Sequence, residues 1–92
     1  MNKLTDKQIS ENLKSLEGWK YENGSLKKVF RTKGFPQTLG LVSEIGALCQ
    51  QFDHHPDYLT LKYAEVEVSF STHSAGGVTE KDFEIAKQIE LL

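Results

Sequence analysis

The sequence predicts an α+β domain: a four-stranded antiparallel sheet with three helices on one face, in the order αββαββα, filling residues 1–92 as a single domain. Three observations lead there. Apolar residues recur at three-to-four spacing in three separate segments. They alternate with polar residues in the segments between. Asn23-Gly24 and Gly76-Gly77 punctuate the chain where one pattern gives way to the next.

Thr5 followed by Gln8 forms a capping box, after which Ile9, Leu13 and Leu16 keep helical spacing until Gly18 supplies a stop. Trp19–Glu22 and Ser25–Arg31 then flank Asn23-Gly24, the dipeptide that best tolerates the positive φ angles of a type I′ hairpin turn. From Phe35 to Phe52 the apolar positions 35, 39, 42, 45, 49 and 52 define a central helix with Pro36 in its first turn. Leu41, Ala47 and Leu48 widen that stripe, and Gly40 and Gly46 leave room for another backbone, so the helix has either an interface or a deep seat in its own core. Tyr58 to Thr72 reads as two strands meeting near Tyr63-Ala64-Glu65. In the second of them Val66, Val68, Phe70 and Thr72 share one face while Glu67, Ser69, Ser71 and His73 share the other. Thr79 caps a last helix whose inward stripe is Ile85, Ala86 and Ile89.

Composition narrows the function classes. With 38% hydrophobic and 26% charged residues the chain is an ordinary globular domain with no membrane-spanning run. Its eleven basic residues are thinly spread and the net charge is −2, so nucleic acid is not an expected partner. The lone Cys49 suits a reducing compartment, and the opening MNKLTDKQ lacks the apolar run of a signal peptide, so the expected location is cytoplasmic.

Chemistry is concentrated in three histidines at element ends. His54 and His55 follow the central helix and His73 closes the last strand. Pro56 turns the chain out of the helix there, and the helix dipole favours a charged imidazole beside it. Taken singly, such histidines are more often structural than catalytic. Three imidazoles could also bind zinc, but adjacent histidines seldom chelate one ion and the spacing matches no metal motif, so acid–base chemistry is favoured over a metal. Asp53 is placed to fix an imidazole tautomer or to sit solvated in the loop. Asp82 is a first-turn helix acid that could also orient a histidine or hold the Gly76-Gly77 loop. Cys49 reads as a buried helix residue.

His54-His55-Pro56, Tyr63, Thr72-His73, Gly76-Gly77 and Thr79-x-x-Asp82 together resemble the pterin-4a-carbinolamine dehydratase family over almost the whole chain. Three positions depart from it. Gln50 stands where the family usually has a charged residue four positions before the first histidine. The tryptophan common after His-His-Pro is absent, with Tyr58 nearby. The run from Pro56 to Tyr63 is one residue longer than in many members, which a β-bulge would accommodate.

The resemblance implies dehydration of a 4a-hydroxytetrahydropterin to a quinonoid dihydropterin, with no metal or cofactor. It implies His54 and His73 in proton transfer and His55 in orienting the pterin. Main-chain groups near Ser71 and Thr72 would read the ring edge, Tyr58 would serve as a packing wall, and Asp53 and Asp82 would complete the site. It also implies a homodimer or homotetramer. The competing reading is a non-catalytic pterin-binding or protein-interaction module assisting a pterin- or molybdopterin-dependent pathway.

Overall fold

The computed structural model describes residues 2–92. Its elements are α1 (Asp6–Leu13), β1 (Lys20–Glu22), β2 (Ser25–Arg31), α2 (Phe35–Gln51), β3 (Tyr58–Lys62), β4 (Glu65–Phe70) and α3 (Glu80–Glu90), in the expected αββαββα order. Two hairpins set β1 beside β2 and β3 beside β4. The crossover through α2 lays β4 against β2, which gives one antiparallel sheet of order β1-β2-β4-β3 with its two longest strands at the centre.

Local chemistry explains the boundaries. Thr5 and Gln8 exchange hydrogen bonds between side chain and backbone, as a capping box requires. The helix they start ends at Leu13, short of Gly18, and Leu16 is buried in the turn that follows. Asn23 and Gly24 both take positive φ, 50° and 78°, so the first hairpin has the primed turn whose twist suits it. Trp19 packs edge-on against Phe30, and its indole N–H donates to Glu90, which ties the first hairpin to α3.

Strand alternation sorts the sheet into two faces. Leu26, Val66, Val68 and Phe70 point to one face, where they join Ile9 from α1, Ile45 and Cys49 from α2, and Phe83, Ile85 and Ile89 from α3 in a single core. The opposite face carries charged pairs, among them Arg31 with Glu65 and Lys27 with Glu22.

Three further expectations are corrected. Phe35 and Leu39, the first members of the α2 stripe, are exposed, and the buried residue of that turn is Thr38. A polar side chain can be buried there because its hydroxyl is satisfied by the Gly34 and Tyr63 carbonyls and by Thr32. The β3–β4 ladder runs from Tyr58↔Ser69 to Lys62↔Glu65 without a break, so no bulge is needed. Finally, β4 stops at Phe70, and His73 opens a 3-10 turn instead of ending the strand. The Thr72↔Gly77 bridge draws the chain into a tight loop there, closed by Gly76 at φ 74°.

Candidate active site

The chain turn that ends α2 places the first histidine. Asp53 adopts φ 51°, its N–H donates to the Gln50 carbonyl, and the His54 N–H reaches back to the Cys49 carbonyl. That pattern is a Schellman motif with aspartate at the left-handed position where glycine or asparagine is usual. It folds His54 inward, where its ring lies 6.1 Å from that of Phe70 at an angle of 23°.

His54 is 8% exposed and Asp82 is fully buried. The His54 Nε2 lies 2.5 Å from Asp82 Oδ1. A carboxylate only accepts, so Nε2 carries the proton and Nδ1 is left for a ligand. The other oxygen, Oδ2, accepts from the Thr72 hydroxyl at 2.9 Å and the Thr79 N–H at 2.8 Å. Asp82 therefore caps α3, anchors both flanks of the Gly76-Gly77 loop and orients a histidine, joining all three roles open to it from sequence.

A second histidine–carboxylate pair lies beyond the other face of β4. Asp57, just after Pro56, accepts from the Ser25 and Ser69 hydroxyls at Oδ2, 2.8 and 2.9 Å away. Its Oδ1 accepts from the Ser71 hydroxyl at 2.5 Å and from His73 Nε2 at 3.2 Å. Burial works to raise the Asp57 carboxyl, but the bonds from Ser71, Ser25, Ser69 and His73 together outweigh it and hold the group below its usual range. Alternation along β4, continued by the extended backbone just past its end, thus sends Phe70 and Thr72 to the His54–Asp82 pair and Ser69 and Ser71 to the His73–Asp57 pair.

Between the pairs is a cavity of about 470 Å³ lined by Asp53, His54, His55, Pro56, Ser71, Thr72, His73, Ser74 and Lys81. Its size suits a small heterocyclic ligand. All three histidines meet there, although they come from two loops far apart in sequence. The Asp53 carboxylate bonds neither imidazole, while its main-chain carbonyl accepts from the Lys81 ammonium at 3.3 Å. Tyr58 is not in the lining. It lies on the open sheet face, where its hydroxyl donates to Glu67, and that bond, with lesser help from burial and nearby acids, raises the phenol above its ordinary range. Among the described residues no three His, Cys, Asp or Glu side chains are grouped to hold a metal ion.

Asp57, Ser74 and Lys81 escaped the sequence reading. Lys81 adjoins Asp82, but nothing in the sequence singles it out from the other lysines. For Asp57 the clue was the serines: Ser69 and Ser71 share a face, and Ser25 falls opposite them across the sheet.

Residues 2–92 match the family model described as pterin 4 alpha carbinolamine dehydratase. The chain belongs to that family. A relative from Sulfolobus acidocaldarius, provisionally named a pterin-4-alpha-carbinolamine dehydratase, is 48% identical over 87 residues, covering 95% of this chain and 94% of the relative. One from Aquifex aeolicus with the same provisional name is 37% identical over 92 residues, covering 100% and 92%. The crystal structure of a transcriptional coactivator/pterin dehydratase from Brucella melitensis superposes with TM-score 0.92 at 30% identity, covering 98% of this chain and 97% of that one. The fold alone is shared with a pterin dehydratase-like RuBisCO assembly factor of the alpha-carboxysome, at TM-score 0.70 and 18% identity over 82% of this chain and 88% of that one. Within the family frame Gln50, the departure at a usually charged position, stands outside the cavity lining, on the exposed side of α2.

Proposed function

We propose that this chain dehydrates a 4a-hydroxytetrahydropterin, releasing water and a quinonoid dihydropterin. The observation that carries the reading is the pair of carboxylate-held imidazoles facing one cavity, since the reaction needs two proton transfers at neighbouring atoms. The 4a-hydroxyl must be protonated to leave, and the N5 proton must be taken as the C=N bond forms. His54 and His73 approach the cavity from opposite sides of β4 and serve these two sites. Each transfer typically contributes about 10²–10⁴-fold. His55, exposed on the rim, orients the pterin.

The main-chain N–H and carbonyl of Thr72 are engaged with Gly77 and Ala75 in closing the loop, which leaves the main chain at Ser71 to read the pterin edge. Asp53 contributes an acceptor at the rim. The reaction requires no metal or cofactor, and the chain works as a cytoplasmic enzyme. The exposed Phe35, stacked on Tyr63, and the exposed Leu39 one turn further along α2 support association of copies through this face.

The test is a rate measurement on freshly generated carbinolamine, followed by its ultraviolet absorbance change. The protein is expected to accelerate the change, and His54→Ala or His73→Ala to remove most of the acceleration. Pterin binding with turnover at background would instead assign the chain to a binding role.

A further inference from the structure

His54 and His73 are held in different ways. His54 is enclosed, with Phe70 beneath its ring and Asp82 at its edge. The His73 side chain is 85% exposed, and among the described residues its single polar partner is Asp57. An exposed imidazole with no other restraint samples several rotamers, at a cost to any reaction that needs one of them.

We propose that Asp57 is the positioning residue for His73, holding the ring by Nε2 so that Nδ1 is the nitrogen presented to substrate. Four observations support this. Asp57 Oδ1 and Oδ2 together accept four hydrogen bonds, which fills the acceptor capacity of a carboxylate and leaves it none for a substrate. Asp57 is therefore a fixed charge and not a proton carrier. Three of the donors are serine hydroxyls on the two central strands or just past their ends, so the carboxylate is itself immobile and can immobilise a fourth group. Its own N–H donates to the Ser69 carbonyl at 2.6 Å, which fixes the backbone behind it. The same arrangement of carboxylate behind Nε2 recurs at His54 with different supporting residues, so each imidazole at the cavity has its own acid.

The kinetic part of the test rests on the dehydratase reading. The spectroscopic part does not. Asp57→Asn keeps the shape and removes the charge. In full-length protein with carbon-13-labelled histidine, relaxation is expected to show the His73 ring becoming more mobile in this variant, while His55 on the same rim is unchanged. In the carbinolamine assay kcat is expected to fall about tenfold or more, the usual scale for losing a group that orients a functional histidine, with KM within about twofold. Introduced into His73→Ala, Asp57→Asn should add less than about a further twofold, because both changes remove one function.

Losses that multiply in the double variant, or an unchanged His73 ring order, would overturn the proposal. Should Asp57→Asn fold poorly, Ser25→Ala loosens the carboxylate without touching the cavity lining. Its smaller loss in kcat must likewise vanish in the His73→Ala background. If the natural protein leaves carbinolamine at its background rate, the dehydratase reading fails, and the relaxation comparison alone decides the role of Asp57.

Discussion

Replacing Asp82 by asparagine separates what this carboxylate does for the fold from what it does for His54. Asparagine keeps one acceptor oxygen for the Thr72 hydroxyl and the Thr79 N–H, but it turns an amide NH2 toward His54 Nε2. Two donors cannot face each other in a buried site, so His54 must carry its proton on Nδ1 instead. The nitrogen offered to the cavity then changes from acceptor to donor. Exchanging a charge-assisted bond for a neutral one costs about 1–2 kcal/mol, a modest share of the roughly 5–15 kcal/mol that holds a domain folded. The wrong tautomer costs catalysis far more, about 10²-fold or beyond. Asp82→Ala behaves differently. It leaves the Thr79 N–H and His54 Nε2 without acceptors where exposure is almost nil, at about 1–3 kcal/mol each, or about 2–6 kcal/mol together. Urea unfolding followed by the fluorescence of Trp19, buried between Phe30 and Phe70, gives both stabilities, and the carbinolamine assay gives kcat. Near-natural kcat in Asp82→Asn, or equal stability in the two variants, would refute the reasoning.

Folding depresses the Asp57 carboxyl below its ordinary 3.8, so the stability it contributes is fully present above that value and is lost as pH falls through the folded one. Urea midpoints of the natural chain and Asp57→Asn should therefore differ at neutral pH and converge as the pH falls below the ordinary carboxylate value and through the depressed one. Asp53→Gly relieves a left-handed aspartate and removes a rim carboxylate. It is expected to hold stability within about 1 kcal/mol of the natural chain or to raise it, while KM for carbinolamine rises and kcat holds. Burial pushes the Cys49 thiol up against its own backbone hydrogen bond, and the residue is 4% exposed. Thiol reagents should modify it on the order of 10³ or more times slower in the native chain than in urea, and rapid native labelling would show that α2 opens locally.

Much of the fold is legible because its signals are local. The Thr5 capping box needs only neighbours three residues apart, and the Asn23-Gly24 turn needs only two residues that accept positive φ. The two faces of β4 follow from strict alternation. The α2 stripe departs from its period at the start because Thr38 buries a hydroxyl whose acceptors include Tyr63, a residue no periodicity connects to it. The site is less legible for the same reason. His54 meets Asp82 across 28 residues and His73 meets Asp57 across 16, so each pairing exists only once the chain has folded. Residue types suggested three imidazoles, family resemblance suggested their meeting, and neither identified the acid behind His73.

The division of labour along the end of β4 has an evolutionary side. The pair beyond one face, His54 with Asp82, shares its carboxylate with a helix cap and a loop closure, so a lineage that lost it would lose folding stability as well. The pair beyond the other face divides differently, because Asp57 satisfies the buried Ser25 and Ser69 hydroxyls while the His73 side chain is exposed and supports nothing else. His73 alone can be abandoned cheaply. A descendant relieved of selection for turnover would shed His73 first, keeping Asp57, a folded scaffold and half a pocket on which another use could be built.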